Sequence, residues 1–274
     1  MAPRTPFRRK ASNPEGRMAL LDHFKELRNR LLLAAAAVFV GLCVGWYYYE
    51  DIADFLMQPV RDVAEARGLT ITGPNFGAGG VTQPFTIKAK IAAVVGVILA
   101  SPIWLWQFWA FILPGLYRRE KMIALGYFLV AVPMFLVGCA LAIWALPPAV
   151  TTLLGTFTPE GGENLIAAEP YFAFVGNFIL WFGVAFLLPV VMVAINHAGL
   201  LSGRVMLKGW RWATVGVLVF AAMAAPDPMS MVTLTIPMML MYFVACGIAM
   251  GRDKLRRRKR PEWMDADADT ASAL

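Results

Sequence analysis

Leu20-Leu21-Asp22-His23-Phe24-Lys25-Glu26-Leu27-Arg28-Asn29-Arg30 runs without a break into the apolar stretch 31–49. Leu20, Phe24, Leu27 and Leu31 recur at spacings of four, three and four, so they form one stripe along a helix. Glu26 stands about a third of a turn from the centre of that stripe at 3.6 residues per turn, beside Asp22, His23 and Arg30. The stretch reads as a charged helix entering lipid. It carries a carboxylate at the boundary, amid Lys and Arg, where a cationic group approaching from the same side could meet it.

Beyond this stretch the chain stays apolar. Of its 274 residues 59% are hydrophobic and 16% charged, too few charges for a soluble domain of this length. Apolar runs cover 31–49, 91–113, 122–146, 171–195, 212–225 and 229–250. These are helix-length segments, and the alternating ten-residue strands of a membrane barrel are absent. The expected fold is an all-α membrane protein of six kinked transmembrane helices forming a concave bundle over residues 18–251. A disordered basic arm, 1–17, precedes it, and a tail that turns from basic to acidic, 252–274, follows it.

The net charge of +7 raises nucleic acid as a partner, but the placement of the charges argues against it. With the N-terminus in the cytoplasm, all of the 25 Lys and Arg except Arg61, Arg67, Lys88 and Lys90 fall on that side. Positive residues are retained there, so both termini are expected on the cytoplasmic side of the membrane. The basic cluster 256–260 suits anionic lipid. The first span is expected to stay uncleaved, because no small-x-small site follows it and Trp46, Tyr47, Tyr48 and Tyr49 form an interfacial belt. Cys43, Cys139 and Cys246 lie inside apolar runs and read as small buried hydrophobes. With only two histidines, no metal or cofactor is expected.

In the outer loop, Ile52, Phe55, Leu56, Val60 and Val63 follow a helical period, and Pro59 is expected to break it into short interfacial helices. Lys88 and Lys90 read as headgroup anchors. Trp104, Trp106 and Trp109 end the second span as an interfacial belt, and the short loop after it carries Glu120, a second cytoplasmic carboxylate. The third span is expected to end at Pro147-Pro148. Asn177 and Asn196 suit hydrogen bonds between helices. The fifth span, 212–225, amounts to about 21 Å of helix against a hydrocarbon core of about 30 Å, so it should thin the bilayer or tilt. Internal Pro102, Pro133, Pro189 and Pro237 each remove a ladder bond and bend a span.

No nucleophile constellation, phosphate-binding glycine loop or mid-span ionisable relay is present, so an enzyme, an ATPase and a pump are disfavoured. Glu26, Glu120 and Asp227 remain. On composition alone the stronger reading of Glu26 is an i,i+4 pair with Arg30, worth about 0.3–0.5 kcal/mol when exposed. Glu120 then reads as a solvated loop acid and Asp227 as a turn former. A secondary transporter or an assembly scaffold stays open as an alternative.

The chain resembles the TatC family, the receptor and core subunit of the twin-arginine protein translocase, from about Met18 to Gly251. The residues that carry the likeness come in order. First is His23-Phe24-Lys25-Glu26-Leu27-Arg28 with Arg30-Leu31, then Pro84-Phe85 with Lys88. Ser101-Pro102, Gln107, Trp109-Ala110-Phe111 with Pro114, and Leu116-Tyr117 with Glu120 follow. Phe182-Gly183, Phe186 and Pro189 precede Pro226-Asp227 and Ile236-Pro237.

The resemblance implies that Glu26 and Glu120, flanked by Arg28, Phe111 and Pro114, receive the paired arginines of a signal peptide. It also implies structural or partner contacts at Pro59, Pro84, Phe85, Gln107, Leu187 and Asp227. Expected partners are single-span TatA and TatB subunits, folded precursor proteins with twin-arginine signals, membrane lipid and further copies of this chain. Export would be driven by the proton-motive force without nucleotide. One departure stands out. Where the family often carries a polar or acidic residue in span four, this chain has Leu187 followed by Leu188.

Overall fold

The computed structural model of the protein describes residues 20–66, 80–112, 118–156, 168–224 and 228–258. The described residues are organised in helices α1 (Leu20–Tyr47), α2 (Tyr49–Ala66), α3 (Gln83–Leu99), α4 (Ser101–Ile112) and α5 (Arg118–Thr156). These are followed by α6 (Ala168–Ala185), α7 (Leu188–His197), α8 (Gly203–Lys208), α9 (Trp210–Ala224) and α10 (Pro228–Arg258). By length and composition, Phe24–Tyr47, Leu125–Thr151, Ala168–His197 and Met231–Leu255 can each cross a membrane. A fifth crossing arises if Gln83–Leu99 and Ser101–Phe111, bent by 59°, form one broken span, and Trp210–Met223 is a shorter apolar helix.

Small residues decide how closely the helices approach, as expected where lipid supplies no hydrophobic drive between them. A Cβ on Gly96 of α3 would lie 2.7 Å from the Val38 carbonyl oxygen and 2.8 Å from the Leu42 nitrogen of α1. Gly41 and Gly45, four apart on α1, meet the Gly96 and Ala92 backbone in the same way. Gly138 of α5 and Gly183 of α6 form a second close approach, beside Phe135 and Cys139. Phe135, Phe178 and Phe182 fill the centre, fully buried.

Proline acts differently from expectation at three positions. α2 passes through a buried Pro59 as one helix, and α5 passes through Pro147 and Pro148 to Thr156. A proline deletes its own N–H bond and crowds the carbonyl one turn back, yet a helix whose later residues still find carbonyls can continue past it. The Thr151 hydroxyl donates to the Pro147 carbonyl at 2.9 Å. By contrast Pro102 and Pro189 stand in the first turns after real breaks, at Ala100 and at Phe186-Leu187. At the first break the Trp104 indole donates to the Val97 carbonyl at 2.9 Å, an acceptor the interrupted ladder leaves available. Cys139 and Cys246 are buried as expected, whereas Cys43 is exposed on the outer side of α1.

The bundle has two distinct ends. At one, the start of α1 and the ends of α4, α7 and α10 bring Arg30, His197 and Arg252 into the polar contacts described below. At the other, Lys88 lies 5.0 and 5.2 Å from the ring centres of Trp46 and Tyr49, and Lys90 pairs with Glu169 at 2.7 Å. There the Tyr171 hydroxyl donates to the Leu56 carbonyl at 2.6 Å, tying α6 to α2.

Candidate functional site

Glu26 lies in the second turn of α1, one turn before Arg30, so the i,i+4 spacing brings their side chains together. Arg30 Nη2 and Nε both donate to Glu26 Oε1, at 2.5 and 2.9 Å. Both side chains are largely withdrawn from solvent, Glu26 at 21% and Arg30 at 26% exposure, so water screens the contact less than it screens a surface pair. The remaining Arg30 nitrogen, Nη1, donates to Gln107 Oε1 of α4 at 3.3 Å. Glu26 Oε2 is buried and has no hydrogen-bond partner among the described residues. A carboxylate has room for about four donors, so half of this one is unused. A buried unsatisfied oxygen of this kind costs about 1–3 kcal/mol.

Of the residues singled out in the sequence, the structure thus joins Glu26 and Gln107, through Arg30. Arg28 points away, exposed, with Nη2 donating to Asn29 Oδ1 at 3.3 Å. Phe111 is half-buried in the last turn of α4. The backbone of Glu120 lies in the first turn of α5. Its side chain, together with Pro114 and Asp227, falls outside the described residues. Pro59, Pro84 and Phe85 lie at the opposite end of the bundle, with the Phe85 ring against Trp46 at 5.6 Å. Leu187, half-buried, sits at the break between α6 and α7.

α4 shares a second feature with this site. While Gln107 faces α1, its neighbours Trp104, Phe108 and Trp109 wall an apolar cavity of about 880 Å³. Leu187, Val190, Met206 and Val217 line its other sides. The Tyr242 hydroxyl, which also borders it, donates to the Met206 carbonyl and leaves little polarity in the wall. Leu187 belongs to this apolar face.

Two polar clusters escaped the sequence. Arg252 Nη1 donates to the Tyr127 hydroxyl at 2.9 Å and to the Val193 carbonyl at 3.3 Å, and the same hydroxyl meets His197 Nδ1 at 2.9 Å. The Tyr127 ring stacks on Trp109 at 6.1 Å. Residues 70 and 125 positions apart in the chain give no local pattern to find them by. In the second cluster Asn196 Nδ2 donates to the Leu201 carbonyl and to Asp253 Oδ1, and the Gly203 N–H donates to Asp253 Oδ2. The amide of Asn196 was legible as a helix-joining group, whereas its partner was not. Among the described residues no group of His, Cys, Asp and Glu is placed to hold a metal ion.

Comparison with known proteins finds relatives over most of the chain. The family model described as "Sec-independent protein translocase protein (TatC)" matches residues 22–237. The TatC protein of Xylanimonas cellulosilytica is 40% identical over 261 residues, covering 93% of each chain. That of Rothia mucilaginosa is 36% identical over 260 residues, covering 94% of this chain and 87% of its own. A crystal structure described as the twin arginine translocase receptor TatC superposes with a TM-score of 0.71 at 29% identity, covering 83% of this chain and 99% of that one.

Proposed function

This chain belongs to the TatC family, as a membrane component of the Sec-independent protein translocase, and from that premise we propose that it is the receptor for twin-arginine signal peptides. In this reading six spans place both termini in the cytoplasm of a prokaryotic plasma membrane. Export of folded precursors is driven by the proton-motive force, together with TatA- and TatB-like single-span subunits and further copies of the chain.

The observation that carries the reading is the half-used carboxylate of Glu26. Arg30 occupies Oε1 and leaves Oε2 without a donor among the described residues. An incoming guanidinium binds a carboxylate through paired N–H donors in a planar fork, which a lysine ammonium cannot reproduce. The apolar part of the peptide then lies along the cavity on the other side of α4. Glu120 joins as the second acid in this proposal, with Arg28, Phe111 and Pro114 around the entry. Pro59, Pro84, Phe85, Gln107, Leu187 and Asp227 serve the bundle and its partner contacts.

The test is photo-crosslinking from positions next to Glu26 and Glu120 to peptides carrying Arg-Arg or Lys-Lys. Crosslinking is expected to favour Arg-Arg and to fall when both acids are changed to Gln. Equal crosslinking of the two peptides, undiminished in the double variant, defeats the receptor reading and favours a scaffold that does not read the signal.

A further inference from the structure

Away from Glu26, one concentration of positive charge has a defined shape. α8 and the first turn of α9 meet at Gly209 and enclose an open groove of about 550 Å³ lined by Arg204, Leu207, Lys208, Trp210 and Arg211. Arg204 and Lys208 are four apart on one helix, and like charges at that spacing destabilise it. No acid occurs between residues 197 and 224. α10, which packs on α8, contributes Asp253, but that carboxylate accepts from Gly203 and Asn196. Among the described residues none of the three cations forms an ion pair. The Arg211 guanidinium sits 5.9 Å from the centre of the Trp210 ring, at the groove wall.

An apolar face continues from the groove. Trp212, Val215, Val219 and Met223, spaced three, four and four apart, are all exposed on α9, forming one stripe that runs away from the cations. α9 has 15 residues, about 22 Å of helix against a core of about 30 Å. Its shortness draws the groove toward the headgroup layer. Basic residues near a membrane surface can be topology signals wherever they fall. These three differ in closing around a concave, tryptophan-lined space with no carboxylate among the described residues to neutralise them.

We propose that the α8–α9 corner binds an anionic glycerophospholipid. The phosphate is held by Arg204, Lys208 and Arg211, and an acyl chain lies along the α9 stripe. Arginine forks and a lysine point charge together suit phosphate oxygens, and the continuous apolar stripe favours a lipid over a water-soluble anion.

The full chain, purified in mild detergent with equimolar dioleoyl phosphatidylglycerol and dioleoyl phosphatidylcholine, is expected to retain the anionic lipid about tenfold or more in excess by native mass spectrometry. Each basic residue at an anionic headgroup is worth about fivefold in binding. R204Q/K208Q/R211Q should bring retention near parity, whereas R204K/R211K keeps most of the preference. Should the triple variant aggregate, R204Q and R211Q singly carry the test, with losses of roughly threefold to fivefold each. Equal retention of both lipids by the unaltered chain, or an unchanged preference without the three cations, overturns the proposal. So does loss of the preference in R256Q/R257Q/R258Q, which moves the site to the C-terminal run. Displacement of the retained lipid by millimolar inorganic phosphate overturns the commitment to a lipid.

Discussion

Arg30 grips Glu26 from one helical turn away, with Nη2 and Nε 2.5 and 2.9 Å from Oε1, and leaves Oε2 buried and without a partner among the described residues. The resident guanidinium is chemically the same group as the proposed ligand. E26Q removes the charge while keeping the shape. Charge-assisted hydrogen bonds are worth about 1.5–3 kcal/mol, so affinity for a labelled Arg-Arg signal peptide, read by fluorescence anisotropy, should fall roughly tenfold to a hundredfold. A Lys-Lys peptide, weak from the start, should change little. Equal losses for both peptides would mean that Glu26 supplies only a general field.

R30Q separates two roles for that arginine. If Arg30 holds the carboxylate until a signal arrives, its removal frees Oε1 as well as Oε2, and Arg-Arg peptide binding should tighten by a few-fold. Stability should fall, because a largely withdrawn carboxylate loses its counter-ion, and a thermal melt in detergent reads that loss. A drop in peptide affinity as large as that of E26Q would instead make Arg30 part of the binding surface.

Gly96 sets the distance between α1 and α3. G96V places methyl groups where the first added carbon already meets the Val38 oxygen at 2.7 Å and the Leu42 nitrogen at 2.8 Å. Both are backbone atoms of a helix and cannot move singly, so overpacking should cost about 1–3 kcal/mol, seen as a lower melting temperature. G216A is the control, since a Cβ there meets nothing within 4 Å. Comparable destabilisation in the two variants would show that α1 is not held by close packing at Gly96.

How much of this was legible in the sequence depends on the range of the interaction. The Glu26–Arg30 pair follows from a spacing of four, and the bend before Pro102 follows from proline chemistry. The same chemistry misled at Pro59, Pro147 and Pro148, where helices run on, because a proline's effect depends on whether its neighbours can still pair. Gln107 joins Arg30 across 77 positions, so the resemblance marked it without giving its partner. Arg252, Tyr127 and Val193 meet only because the first part of α5 lies beside the ends of α7 and α10, and no local pattern encodes that. The apolar cavity was foreseeable only as a concave face, since its walls come from separate helices.

Asp253 offers the sharpest test of how the α7–α8 turn is held. It faces two donors, the Gly203 N–H at 2.7 Å and Asn196 Nδ2 at 3.0 Å, and a carboxylate accepts from both. D253N has one acceptor oxygen, so whichever way the amide turns, one of the two donors meets an NH₂ group. The unsatisfied donor should cost about 1–3 kcal/mol. The loss is local because Gly203 is pressed against α10, where an added Cβ would lie 2.5 Å from the Met250 nitrogen. Hydrogen exchange over 199–205 should accelerate in D253N while the amides of α6 keep their protection. Unchanged exchange in that turn would show that backbone packing at Gly203, not the carboxylate, holds α8 on α10.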